Sequence, residues 1–330
     1  MNGWGSRMKK ELSVKWFDVW HSALDEALAV LPEMDGCPNE LFKSLAQNGL
    51  GVTKRVALVT KKDVPVAVVG VKKRADSWAP VTHYLVPGCL FPMNEAYLGS
   101  ILDALDINLW VSWWRNKTPI PTFRNLRKVE TIPTYRLDLT GDYESQWTKK
   151  QRKNVRAALN RCQEFNFVVD PPKSAEWVIK NCNRKWSEDP DALDRNLSDQ
   201  LITANYLQKI NRLHAPILMD KGEFIAGSTL IVHDDDLVGT FIYRMPDYDK
   251  YGIGSCLMVL IFSWAKNAGF NGVDIGGDYS DYKQHWAPQD GEKTNINVCP
   301  TRLMLSKRVR SALDRVEKKT KLTLGLHEEA

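Results

Sequence analysis

The sequence predicts an α/β protein made of two similar halves, and three observations carry that prediction. Residues 56–69 (VALVTKKDVPVAVV) are echoed by residues 215–228 (APILMDKGEFIAGS). Each is an apolar strand, a charged tight turn and a second apolar strand, and Val66-Ala67 falls opposite Ile225-Ala226, a shift of 225 − 66 = 159 residues. Helical periodicity precedes each hairpin, and more strand and a helix follow each. The stretch from Leu237 to Pro288 then reads as strand, glycine turn, apolar helix, second strand and a polar cluster. A single echo falls short of the repeats a solenoid needs, so duplicated domains are the inference.

The elements follow in order. Val14–Leu31 and Asn39–Gln47 carry apolar residues at helical spacing ahead of the first hairpin, and Asn94–Leu105 forms a helix after it. The division is expected near Thr131–Thr140, after the proline-containing stretch Pro119–Pro133, giving domains 1–135 and 136–330. Helices are expected over Gln146–Phe165, Ser174–Trp186 and Ser198–Leu213, with Ser198 and Asp199 as candidate caps of the last. A strand at Leu237–Arg244 leads to the turn Lys250-Tyr251-Gly252-Ile253-Gly254-Ser255 and the helix Ser255–Asn267, which Gly269 closes. A strand at Gly272–Gly276 precedes Asp278-Tyr279-Ser280-Asp281-Tyr282-Lys283-Gln284-His285-Trp286, and a basic helix over Leu303–Lys318 ends the fold.

Length and composition narrow the classes. A chain of 330 residues can bury two ordinary cores. The apolar share of 43% and mean hydropathy of −0.36 are those of a globular protein, and no apolar run approaches the roughly 20 residues that span a bilayer. The stretch Met1–Trp16 is polar and unlike a secretory signal. The six cysteines (37, 89, 162, 182, 256, 299) form no C-x-x-C pair and have no histidine set nearby. Reduced thiols in a cytoplasm and no metal site are therefore expected. Net charge is +5, a mild excess that suits anionic ligands better than a nucleic-acid surface.

The glycine turn is where the chemistry concentrates. A strand feeding a turn that opens a helix leaves backbone N–H donors without acceptors, beside the positive end of the helix dipole. Glycines 252 and 254 let a phosphate or pyrophosphate approach that backbone. Many helices begin after a Gly-x-Gly turn for steric reasons alone, so the order of the surrounding elements matters. The first half has Val86–Pro92 at the matching turn, and Pro87 and Pro92 supply no N–H. That half is expected to serve as scaffold and cleft wall. Cys256 lies in the first turn of the helix, where a thiol pKa can fall. A buried, inert thiol is the commoner outcome.

The ordered set resembles the two-domain branch of the GNAT acyltransferase superfamily, which holds cellulose-biosynthesis-type acetyltransferases and, more distantly, Fem-type aminoacyl transferases. The resemblance rests on Tyr135-Arg136-Leu137-Asp138-Leu139 before Gln151-Arg152-Lys153-Asn154-Val155-Arg156, and on Phe224-Ile225-Ala226-Gly227. It continues through Tyr251-Gly252-Ile253-Gly254-Ser255-Cys256-Leu257, and through Asp274-Ile275-Gly276 ahead of Tyr282-Lys283-x-x-Trp286. Two positions depart from the family pattern. Asp249 stands three residues before the first glycine where Gln or Arg is usual, with Lys250 beside it, and Ile253 replaces the loop proline.

The resemblance implies tandem GNAT-like domains, each a mixed, mostly antiparallel sheet flanked by helices. It implies an acyl-CoA co-substrate, acetyl-CoA first, bound by Tyr243, Arg244, Lys250, Tyr251, Gly252, Ile253, Gly254 and Ser255. An amine of a small molecule or sugar would attack the thioester. Backbone N–H groups near Tyr243–Arg244 would face the oxyanion, and Lys283 would orient the acyl group or stabilise charge. Asp278 or Asp281 would accept the amine proton, and Tyr282 or His285 would protonate the thiolate. Asp274, Trp286 and Trp186, with Tyr243, are candidate substrate contacts. Against these stand surface or capping roles for Asp278, Asp281 and His285, a solvated charge for Lys283, and core positions for Asp274 and Trp286.

The cations of Lys149–Arg161 could hold the 3′-phosphate of CoA, a nucleotide-sugar diphosphate or RNA, or simply form a solvated face. Two competing functions remain: aminoacyl transfer from charged tRNA, and non-catalytic binding of an anionic partner.

Overall fold

The computed structural model describes residues 12–34, 37–47, 53–74, 76–82, 91–114, 122–186, 190–277 and 281–300. The proline turn at 86–92, Asp278 and the helix expected over 303–318 lie wholly or largely outside them. The first half runs β1 (Ser13–Phe17), α1 (Ser22–Leu28), α2 (Asn39–Gln47), β2 (Lys54–Lys61), β3 (Val64–Arg74), β4 (Ser77–Pro80), α3 (Leu98–Ala104), β5 (Leu109–Trp114) and β6 (Leu126–Asp138). The second runs α4 (Lys149–Arg161), β7 (Asn166–Val169), α5 (Ser174–Trp186), α6 (Pro190–Lys209), β8 (Leu213–His214), β9 (Pro216–Asp220), β10 (Glu223–His233), β11 (Asp236–Arg244), α7 (Ile253–Asn267), β12 (Gly272–Gly277), α8 (Asp281–Trp286) and β13 (Gln289–Val298).

The echo in sequence is an echo in register. Lys61 pairs Val64 and Asp220 pairs Glu223, each across a two-residue turn. Both turn residues have positive φ: 48° and 65° at Lys62 and Asp63, 49° and 88° at Lys221 and Gly222. Such turns match the right-handed twist of the strands they join. Farther along, Val59 pairs Ala67 and Leu218 pairs Ala226, so a bulge falls at Val66 in one hairpin and Ile225 in the other. Turn, bulge and burial pattern recur at the same 159-residue shift.

The strands form one mixed, mostly antiparallel sheet in the order β1-β2-β3-β4-β5-β13-β6-β12-β11-β10-β9-β7, with β8 on β10. From either end the order is the same: outer strand, hairpin, then the parallel pairs β4–β5 and β11–β12. At the centre the last strand of each half is exchanged. β6 follows β5 in the chain yet lies antiparallel on β12, and β13 follows β12 yet lies antiparallel on β5. The two then pair with each other from Gln289↔Tyr135 to Val298↔Leu126.

Two apolar cores flank the sheet. One gathers α1, α2 and α3 with β2, β3 and β5, and includes Ala175, Ile179, Ala204 and Leu207 of α5 and α6. The other gathers α4 and α7 against β6, β10, β11 and β12.

Two expectations are corrected. The helix expected over Val14–Leu31 begins as β1, because Ser-Val-Lys-Trp-Phe pairs along the edge of β2 before α1 starts. Ser198 and Asp199 are not caps: α6 starts at Pro190, and Asp199 is buried mid-helix against Lys54 (2.8 Å) and Lys72 (3.2 Å) of the first half. No described helix is long and apolar enough to cross a membrane.

Candidate active site

β11 and β12 run parallel but pair only from Asp236↔Gly272 to Val238↔Asp274. A bulge at Thr240 redirects β11 just past that point, since Gly239 faces Leu230 and Phe241 faces Thr229. The bulge is pinned by side chains: the Thr229 and Thr240 hydroxyls lie 2.8 Å apart, and Phe241 N–H donates to the Thr229 hydroxyl. Beyond it the strands no longer share a ladder, and the gap is this unpaired stretch between them.

Strand geometry decides which donors face the gap. Met245 N–H donates to Ile225 O of β10. Alternation along a strand then sends the N–H groups of Ile242 and Arg244 to the opposite edge, toward β12. Tyr243 N–H faces β10 instead, so of the expected pair Arg244 alone offers its amide. The Tyr243 ring is half-buried, edge-on to Trp177 at 5.3 Å.

At the mouth of the gap a 3-10 turn over 246–251 leads to Gly252, whose φ of 72° places it in the left-handed region at the start of α7. Ser255 N–H and Cys256 N–H donate back to Gly252 O, and Gly252 N–H donates to Asp249 O. The helix opening therefore presents the amides of Ile253 and Gly254, and Ser255 contributes only its hydroxyl. A Cβ on Gly254 would lie 3.3 Å from Arg244 Cδ, so the glycine makes room for the arginine lying across the first turn.

Arg244 pairs with Asp249, which neutralises the acid that stood out in the sequence. Lys250 does not do so; its ammonium lies 5.1 Å from the Tyr251 ring centroid. Ile253 is fully buried and anchors the helix start in the core, and Tyr251 stacks edge-on to Phe165. Arg161, at the end of α4, donates from Nε to Tyr251 O (3.1 Å) and reaches over Gly252.

α8 closes the other side. Gly276 has a φ of 87°, and a Cβ there would sit 3.0 Å from Lys283 Nζ and 4.0 Å from Gly239 O. Lys283 thus places its ammonium at the end of β12 facing β11. The Tyr282 ring is half-exposed, yet burial of its hydroxyl end raises the phenol above its ordinary value, while nearby Trp286 and the Arg244 charge pull it down. His285 is exposed, its ring edge-on to Trp286 and its carbonyl accepting from the Gln151 side chain. Asp281 opens α8, and Trp186 ends α5.

Two expected substrate contacts are corrected. Asp274 is fully buried and accepts from Gly276 N–H at 2.6 Å, with Lys293 Nζ 3.9 Å away. Trp286 is 2% exposed, packed on Trp147 and Phe262, and its carbonyl accepts from Trp147 Nε1 (3.0 Å). Both shape the site from beneath. Lys293, which the sequence reading missed, carries no motif: it is one charge in the mixed strand QDGEKTNINV. Cys256 is the inert alternative, because burial pushes its thiol pKa up beside Cys162. No group of three or more His, Cys, Asp or Glu among the described residues could hold a metal ion.

No curated protein matches the sequence. Among solved structures, the L-PGS of Bacillus licheniformis is similar at 14% identity, over 84% of this chain and 98% of that one, with a TM-score of 0.49. FemX is similar at 10% identity over 88% and 99% (TM-score 0.49), and a tandem GNAT protein from the clavulanic acid biosynthesis pathway at 8% over 88% and 100% (0.48). Residues 149–284, from the first residue of α4 into α8, match the Acetyltransf_6 family of acetyltransferase (GNAT) domains. The second half of this chain carries a GNAT acetyltransferase-family domain.

Proposed function

We propose that the protein is an N-acyltransferase that moves an acyl group, acetyl first, from acyl-CoA to an amine of a small molecule or sugar. The observation that carries this reading is the early end of the β11–β12 ladder, with the α7 opening beyond it and Lys283 at the end of β12. Arg244, lying over Gly254, sets its guanidinium beside the helix opening, where a pyrophosphate would meet both the cation and the backbone donors. The amides of Ile253 and Gly254 would hold it, with Arg244, Lys250 and the Ser255 hydroxyl near. When bound, acyl-CoA supplies the thioester carbonyl that the amine attacks.

The chain's own groups supply the rest. The Ile242 and Arg244 amides face the gap and suit a developing oxyanion. Lys283 adds positive charge at the same end. Tyr282, held protonated by burial, suits delivery of a proton to the departing thiolate. Asp281 and Asp278 are the carboxylates nearest in sequence to take the amine proton. Residues 1–135 serve as scaffold and cleft wall and 136–330 as the acyltransferase half, with β6 reaching across that division.

Isothermal titration with acetyl-CoA tests the reading alongside Gly254→Trp, whose indole would displace Arg244 and fill the helix opening. Micromolar binding that the variant loses is expected. An amine screen should then find turnover that falls at least about tenfold in Lys283→Ala, with acetyl-CoA affinity kept. Failure of wild type to bind acetyl-CoA, longer acyl-CoAs and free CoA would overturn it.

A further inference from the structure

α4 carries six cations and no acid: Lys149, Lys150, Arg152, Lys153, Arg156 and Arg161. Arg152 is half-buried and donates to the carbonyls of Glu144 and Trp147. The other five are exposed, and none forms an ion pair among the described residues. Four of the six crowd the first turns, the positive end of the helix dipole, where cations are disfavoured. The start is held instead by a capping box between Thr148 and Gln151. A charge pattern that opposes helix stability calls for a use outside the helix.

The position of α4 limits that use. Its first turn touches α8 through Gln151 and His285 O, and its last residue, Arg161, touches the loop at Tyr251 O. The row therefore runs along the rim of the candidate site. CoA would concentrate its charge near the α7 opening, beside Arg161 and Arg244. At 1.5 Å per residue Lys153 lies about 12 Å and Lys149 about 18 Å farther along. CoA alone leaves that end of the row without a purpose.

We propose that α4 docks the acidic helical face of a carrier protein that presents the acyl group on a phosphopantetheine arm. This rests on the acyl-thioester reading of the site and names a second donor for it. The arm would enter the same gap. The acceptor amine then forms a C–N bond at the thioester carbonyl as the C–S bond breaks, the amine's proton passing to base and the carrier's thiolate taking one up.

The footprint favours this partner over a polynucleotide. Along the chain, acids flank the row, Asp142 and Glu144 before it and Glu164 after it, so the run of cations is confined to this one helix. A polynucleotide backbone rewards a longer basic track, and this face offers no aromatic ring for a base to stack on. Its exposed positions include one apolar side chain, the methyl of Ala157, which is too small to enter a bilayer.

The test uses the full chain and the charge reversal Lys149→Glu/Lys153→Glu/Arg156→Glu, which suits the helix dipole and should fold. Binding of acetyl-loaded holo acyl carrier protein, acetyl-CoA and a short RNA duplex is measured at low and raised salt. Carrier binding that weakens at least about tenfold in the variant and in salt, with acetyl-CoA affinity changed less than about twofold, is the expected result. Carrier binding that is absent, or unaffected by the reversal, while acetyl-CoA still binds would overturn the proposal and leave the acyl-CoA reading standing. RNA binding that only the wild type shows, without carrier binding, would overturn it in favour of a nucleic-acid surface. If neither thioester binds, the acyl-donor reading falls and the proposal with it.

Discussion

At Gly276 a backbone requirement and a side-chain placement meet. Its φ of 87° is one that residues with a Cβ adopt only under strain, and Asp274 fixes it through a hydrogen bond to its N–H. Gly276→Ala should destabilise the protein by about 1–3 kcal/mol, read as a lower denaturation midpoint. The added methyl would lie 3.0 Å from Lys283 Nζ, so turnover should fall further than stability accounts for, with acetyl-CoA affinity kept. Turnover equal to wild type in the folded variant would show that Lys283 needs no fixed seat. Gly252 was legible in the sequence because a left-handed turn that opens a helix demands a glycine, whereas Lys283 was named only through the family resemblance. The burial of Asp274 and Trp286 was not, since an acid or indole beside a cleft and one beneath it look the same in one dimension. Pairing of Asp249 with Arg244 rather than its neighbour Lys250 likewise depends on side-chain direction.

Among the elements, the hairpins were the most legible, since alternation and a two-residue turn fix strand and register together. β1 was misread because its few residues run directly into the periodicity of α1, and its pairing with β2 lies beyond any local window. The hairpins differ where their coverings differ. Val68 of β3 is fully buried, while its counterpart at the 159-residue shift, Gly227 of β10, lies under α5. A Cβ at Gly227 would lie 2.3 Å from Ile217 Cδ1 and 2.7 Å from Val178 Cγ2. Gly227→Ala should therefore overpack the interface of hairpin and α5 and lower stability by about 1–3 kcal/mol in chemical denaturation. A neutral result would mean that α5 shifts outward easily. In that case Tyr243, whose ring rests on Trp177 of α5, should change its environment.

For the molecule as a whole, the sequence showed duplication but not the exchange of β6 and β13, because strand partners distant in the chain leave no periodic mark. It likewise hid the join between α6 and the first half. Asp199 of α6 is 1% exposed and lies between Lys54 and Lys72, while Lys54 Nζ also donates to Leu45 O. Two buried cations share one carboxylate, so the pair of removals should be unequal. Asp199→Asn leaves both lysines without their anion and should cost about 3–5 kcal/mol. Lys72→Met leaves the Lys54–Asp199 pair intact and should change stability by no more than about 1 kcal/mol. Burial lowers the Lys72 pKa from the ordinary 10.5 against the pull of Asp199, with Lys54 and Arg74 lowering it further. The unfolded chain therefore holds this proton more tightly than the native one. Stability should rise with pH from the depressed native value up to the unfolded one, and Lys72→Met should remove that rise. Denaturation of both variants from neutral pH up to the ordinary lysine value of 10.5 checks the assignment. Equal losses for Asp199→Asn and Lys72→Met would show the three groups acting as one inseparable unit rather than a pair with a surplus cation.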